Sequence, residues 1–229
     1  MGFIRDLKEE FLIIKERDPA IKNHWEVMLY PYFWALRSYR KAHKLYMAGH
    51  YFRARRISQK ARKKTGIEIH PGAKIGKGLF IDHGSGVVIG ETTVIGDNVT
   101  LYQGVTLGGT GKEIGKRHPT LCDNVMVSAG AKLLGSFTVG ENAKIGAGSV
   151  VLKEVPPNST VVGVPGRVVK RDQVKIPRTD MDQSHLPDPV QEDLVRLQKE
   201  NADLYKCIHT LERELNECRS GNCPDKKEI

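Results

Sequence analysis

One period governs the middle of this 229-residue chain. Aliphatic residues recur every six positions at Ile69, Ile75, Ile81 and Val87, slip by two, and resume at Ile89, Ile95, Leu101 and Leu107. After an irregular stretch the period returns at Leu121, Val127, Leu133, Val139, Ile145 and Val151. Six is neither the 3.6 of an amphipathic helix nor the 2 of a strand with one wet face, so the spacing implies short strands joined by tight corners. Three hexads close a triangular coil of about eighteen residues, and successive coils pair their backbones at about 4.8 Å. The aliphatic residue is expected to point inward. Small or branched residues four places on, at Ala73, Val99, Val105, Ala131, Ala143 and Ser149, suit the space that remains. Gly or Asp directly after the inward residue, as at Gly76, Asp82, Gly90, Gly96, Gly140 and Gly146, is expected to take the backbone angle of the corner.

Composition shows that this repeat is one of three segments. Of 23 glycines, 20 fall between Gly66 and Gly166, while 11 of 15 aromatics lie at or before Phe52. Residues 1–64 read as a helical domain: Phe3, Leu7, Phe11 and Ile14 recur at helical steps, and Trp25, Leu29, Phe33, Leu36, Tyr39 and Tyr46 continue an aromatic stripe. Asp18, standing before Pro19, is expected to cap the next helix. This segment holds 16 bases against 6 acids, and so accounts for the whole of the formal charge of +9. Its basic run, 53–64, reads as a solvated helix face. No helix-turn-helix, zinc-finger or RNA-binding signature accompanies it, so nucleic acid is not an expected partner.

No eighteen apolar residues run together, which excludes a membrane-spanning helix, and the acid-bearing start lacks a small-residue cleavage site. The four cysteines form no C-x-x-C pair; a reduced, cytoplasmic setting is expected, and Cys207, Cys218 and Cys223 lack the paired spacing of zinc ligands, so no metal is expected. Residues 171–189 read as a proline-marked linker. Beyond it, over 190–220, Val190, Leu194, Leu197, Asn201, Leu204, Ile208, Leu211, Leu215 and Cys218 alternate four- and three-residue steps. That is a heptad seam with Asn201 as register-setter, which needs a partner: a three-stranded coil, or the core itself. Residues 221–229 read as a flexible tail.

Between Leu107 and Leu121 the chain leaves the repeat for a glycine-rich, basic loop, 108–120, suited to an anionic ligand. It lacks the spacing of a P-loop. His83 stands two places after the inward Ile81, so its ring is expected to project from the coil; taken alone, it reads equally as an incidental surface histidine.

The hexads together with Ile81-Asp82-His83-Gly84-Ser85-Gly86, Gln103-Gly104-Val105-Thr106-Leu107-Gly108-Gly109-Thr110-Gly111-Lys112, Lys116-Arg117-His118-Pro119 and Gly163-Val164-Pro165-Gly166-Arg167 resemble the serine O-acetyltransferases. The resemblance runs from about Asp18 to Arg167. It implies an α+β chain whose 65–170 segment is a left-handed parallel β-helix, an exception to right-handed crossovers. It also implies a homotrimer with sites between neighbouring subunits, with a dimer of trimers as the alternative. The reaction implied is acetyl transfer from acetyl-CoA to L-serine, giving O-acetyl-L-serine on the way to cysteine.

The same resemblance assigns roles. His83 becomes the general base and Glu68 the carboxylate that holds its ring. Asp18, Asp82, Arg117 and His118 match serine-holding positions, and Gly109, Ala129, Ala147 and Arg167 positions along acetyl-CoA. The terminal Ile229 resembles the end of family members that dock into cysteine synthase. Two other readings share parts of the pattern. One is a hexapeptide-repeat acetyltransferase for a sugar or antibiotic hydroxyl; the other is a zinc-dependent β-helix carbonic anhydrase, for which His70, His83 and His118 are poorly spaced.

Overall fold

The computed structural model describes residues 3–111, 114–171 and 189–219. Most of the linker and the whole tail with Ile229 therefore lie outside the described residues. The chain opens with α1 (Phe3–Arg17), a 3-10 turn (His24–Leu29), α2 (Pro31–Met47) and α3 (Tyr51–Thr65). Pro31 starts α2, where its missing N–H costs nothing, and Gly66 ends α3 in the left-handed region at φ 75°. Buried carboxylates of α1 fasten α2: Asp6 lies 2.6 Å from Arg37, and Glu10 meets Arg40 and the Tyr32 hydroxyl, each at 3.1 Å. Burial pushes the Glu10 carboxyl up, against the pull of Arg40.

Two expectations for this segment fail. Asp18 is not a helix cap; Asn23 caps the 3-10 turn, accepting from the N–H groups of Trp25 and Glu26. Trp25 and Leu29 do not continue the buried stripe, because the 3-10 turn leaves both exposed, whereas Phe33, Leu36 and Tyr39 on α2 are buried. The basic run does form a solvated face, since α3 buries only Ala54 and Ser58.

The hexads form stacked three-sided coils. The first comprises β1 (Glu68–Ile69), β2 (Lys74–Ile75) and β3 (Phe80–Ile81); the second, β4 (Val88–Ile89), β5 (Val94–Ile95) and β6 (Thr100–Leu101). The third has β7 (Thr106–Gly108), β8 (Thr120–Leu121) and β9 (Met126–Val127), and the fourth β10 (Lys132–Leu134), β11 (Thr138–Val139) and β12 (Lys144–Ile145). β13 (Val150–Val151) and β14 (Ser159–Val162) continue the stack, and β15 (Arg167–Arg171) turns back antiparallel on β14. Three parallel faces result, ordered β1-β4-β7-β10-β13, β2-β5-β8-β11 and β3-β6-β9-β12-β14. This is the expected left-handed parallel β-helix.

Thirteen of the fourteen inward aliphatic positions are buried; only Ile75, on the first coil, is partly exposed. The six small or branched residues four places on are completely buried and fill the prism's corners. The helices close the first coil: Tyr39 donates to the Ala73 carbonyl at 2.6 Å, Ser58 to that of Ile69 at 2.6 Å, and Tyr32 meets Phe80 edge-on.

The glycines directly after the inward residues do not take the corner angle. Their backbone is not left-handed; Gly76, Gly96 and Gly140 are needed because the next coil is too close. A Cβ on Gly76 would lie 2.6 Å from the Gly96 carbonyl oxygen, and one on Gly140 2.4 Å from the Pro157 nitrogen. The left-handed angle falls two residues later, at Gly104, Gly130 and Gly148 along one edge and Asn98, Asn124, Asn142 and Asn158 along another. The asparagines also bond to one another, Asn124 to Asn142 at 3.2 Å and Asn142 to Asn158 at 2.8 Å.

The second compact unit contains α4 (Pro189–Arg219), a single 31-residue helix. Its ion pairs, such as Arg196 with Asp193 at 3.1 Å, are exposed and each contributes only tenths of a kcal/mol.

Candidate active site

The slip by two in the hexad register is the turn that carries His83. Between β3 and β4 the corner has two extra residues, and His83 takes φ 56°; among the described residues the other non-glycine residues at positive φ are the four asparagines. The turn lifts the imidazole off the prism, with its side chain 75% exposed. Asp82 accepts from the His83 N–H at 2.9 Å, and its second oxygen lies 3.9 Å from His83 Nε2. Burial pushes the Asp82 carboxyl up while the adjacent imidazole pulls it down, and the charge of Asp18 raises it further.

Asp18 ends α1, its N–H bonded to the Ile14 carbonyl at 2.7 Å. One carboxylate oxygen accepts from the Ala20 N–H at 2.8 Å and the other from the Tyr30 hydroxyl at 2.5 Å. Burial, then that bond, pushes the Tyr30 phenol well above its usual range. Asp18, Asp82 and His83 thus share one electrostatic neighbourhood, and Tyr30 is a member that the sequence did not reveal.

Glu68 is placed differently. On β1 it meets α3, with Arg62 Nε 3.2 Å from one oxygen and Gln59 donating to the other at 3.2 Å.

The His83 edge continues along the prism as a stack of corners. Gly104 N–H bonds to the Ser85 carbonyl, Gly130 to Gln103 and Gly148 to Ala129, at 2.8–2.9 Å. Ala129 and Ala147 therefore stand on the same edge as His83. At about 4.8 Å per coil they lie roughly 10 and 14 Å along from it.

Arg117 and His118 occupy another edge. The loop that leaves after β7 folds over the corner between β4 and β5, and Thr92 organises it. The Thr92 hydroxyl oxygen accepts from the Arg117 and His118 N–H groups at 3.0 and 3.1 Å. Thr92 N–H donates to His118 Nδ1 at 3.2 Å. A backbone N–H only donates, so Nδ1 is the acceptor and the ring proton sits on Nε2. Burial and then Arg117 push the His118 imidazolium down, which keeps the ring neutral.

Glu91 pairs with Arg117 and accepts from the Tyr46 hydroxyl at 2.8 Å. Gly90 makes room for the histidine: a Cβ there would lie 1.9 Å from His118 Cδ2. Gly109 lies against Arg117, and Arg167 sits apart on β15, opposite Val162. One chain thus gathers Asp18, Asp82 and His83 on one edge and Gly109, Arg117 and His118 on the next, with the β1-β4-β7-β10-β13 face between them.

The family described as bacterial transferase hexapeptide (six repeats) matches residues 118–153. A serine acetyltransferase from Bacillus licheniformis is 56% identical over 213 residues, 93% of this chain and 98% of that protein. This chain belongs to the serine acetyltransferase family. Solved structures of the family agree. The serine acetyltransferase of Vibrio cholerae superposes with a TM-score of 0.75 at 45% identity, covering 80% of this chain and 71% of that one. That of Brucella abortus strain S19 in complex with coenzyme A gives a TM-score of 0.70 at 44% identity, covering 74% and 68%. Membership of the serine acetyltransferases separates the chain from sugar-directed relatives and from the zinc hydrolyases. Among the described residues no group of three or more His, Cys, Asp and Glu side chains is placed to hold a metal ion.

Proposed function

We propose that the chain transfers the acetyl group of acetyl-CoA to the hydroxyl of L-serine, giving O-acetyl-L-serine and CoA, the activating step toward cysteine. Family membership supplies the reaction, and the observation that carries the site is the exposed His83 imidazole held beside Asp82 and Asp18. His83 takes the hydroxyl proton as the serine oxygen attacks the thioester carbonyl. The C–S bond then breaks, and the CoA thiolate recovers that proton from the imidazolium. Asp18 and Asp82 receive the substrate ammonium. Direct transfer is proposed: Cys122 stands on the corner between β8 and β9, a different edge from the one that carries His83, and burial and the charges of Asp123 and Glu141 push its thiol up.

Arg117 forks onto the serine carboxylate, and neutral His118 donates from Nε2. Because these two lie on a different edge from His83, we assign them to a neighbouring chain. Such an interface joins two different edges of identical prisms and is heterologous; such contacts close into a ring when the rotation closes, and the three-fold repeat of edges on a triangular cross-section supports a homotrimer. Glu68 is proposed to steady the His83 ring, which requires its Arg62 pair to open; Asp82 already stands at 3.9 Å. The small residues Gly109, Ala129 and Ala147 let pantetheine run along the backbone, and Arg167 supplies charge for the CoA phosphates. With acetyl-CoA as donor and Cys122 and Cys207 unpaired, the proposed setting is the cytoplasm.

The test is CoA release from acetyl-CoA with L-serine, set against sugars and other amino acids. His83→Ala is expected to lower the serine-dependent rate by about 10²–10⁴-fold. Release that ignores serine, or full activity in the variant, would refute the proposal.

A further inference from the structure

Within its own compact unit the apolar seam of α4 has no cover among the described residues. Leu194, Leu197, Leu204, Ile208, Leu211 and Leu215 remain between 48% and 63% exposed along a helix about 46 Å long. A continuous apolar row of this length in water marks an interaction surface. We propose that α4 forms a parallel, in-register coiled coil with α4 of the two other chains of the trimer, an inference that rests on the ring proposed above.

The spacing identifies the partner. Steps of three and four average 3.5 residues, the period of helices that wind around copies of themselves rather than pack on a sheet. In heptad terms Leu194, Asn201, Ile208 and Leu215 fall at a, and Leu197, Leu204 and Leu211 at d. Asn201 is the one polar residue among these seam positions. Buried amides satisfy one another only when the strands run parallel and level, so a slip or reversal would leave each against leucine.

Charge selects the same direction. The g positions flanking the seam carry Asp193, Glu200 and Glu214. Antiparallel strands would set these acids against each other. Parallel strands instead bring Glu214 toward Arg219, at e, of the neighbour. The outward f positions, Lys199, Lys206 and Arg213, are exposed and basic, as a solvent face requires. The seam sets direction and register, while the three-edged ring sets the number of strands. Tethering through the ring also raises the effective concentration of each α4 toward its copies.

The test uses the full chain with Cys207, Cys218 and Cys223 replaced by Ser, carrying either Asn201→Cys in the seam or Lys199→Cys on the outer face. Under copper-phenanthroline oxidation, Asn201→Cys is expected to form disulfide-linked dimers about tenfold faster than Lys199→Cys, with light scattering giving the mass of three chains. Equal rates at that mass would overturn the coil and leave the ring standing. Faster linkage between Asp193→Cys and Glu214→Cys chains would overturn the parallel direction. A mass of one chain would overturn the ring and the coil together, while serine-dependent CoA release on the same samples reports the chemistry separately.

Discussion

His118 shows how a side chain proposed to bind serine is held by its neighbours. Thr92 fixes the proton on Nε2, Glu91 and Tyr46 anchor the neighbouring Arg117, and Gly90 leaves space for the ring. Gly90→Ala is expected to displace the imidazole and lower kcat/KM for serine by about 10²-fold. In a His118→Ala background the same substitution should cost almost nothing more, a coupling that steady-state kinetics on the double-mutant cycle measures. Equal losses in both backgrounds would mean that Gly90 serves the coil and not the histidine. The resemblance of the sequence motifs to the serine O-acetyltransferases points to His83, Arg117 and His118; taken alone, His83 reads equally as an incidental surface histidine. The motifs do not point to Tyr30, Glu91 or Thr92. Those contacts cross 12 to 26 positions of chain, and no local spacing encodes them.

At the scale of the element, the coil was legible because each inward position obeys the same demand for a small apolar volume. What the period concealed was the division of labour among corner residues. Gly76, Gly96 and Gly140, next to inward positions, answer to the approach of the adjacent coil, while Gly or Asn two places further on carries the left-handed angle. The signal was present: Asn98, Asn124 and Asn142 each stand three places after an inward aliphatic residue. Asn142→Ala loses both ladder bonds and places an alanine at φ 59°. The expected cost is about 2–3 kcal/mol, or roughly 5–10 °C in Tm by calorimetry. Asn142→Gly keeps the angle and loses only the bonds, so it should recover about 1 kcal/mol of that. If the two variants melt together, the backbone angle contributes nothing. The slip by two was also visible, but only the structure shows it to be the turn that lifts His83 from the prism.

For the whole molecule, the decisive fact is that the proposed acid–base edge and the proposed carboxylate-binding edge of one prism are different edges. The sequence resemblance already implies sites between neighbouring subunits; the coil places His83 and Arg117 on opposite sides of one face, which supports the proposal that each site is shared by two chains. Complementation between inactive variants tests this directly. His83→Ala and Arg117→Ala should each be nearly inactive when expressed alone. Co-expressed in equal amounts, they are expected to form mixed trimers. A site is intact when its His83 edge comes from the Arg117→Ala chain and its neighbouring edge from the His83→Ala chain, which random assembly produces in about one site in four. Serine-dependent CoA release at about a quarter of the wild-type rate is the expected result; no recovery in verified mixed trimers would contradict a site shared between chains.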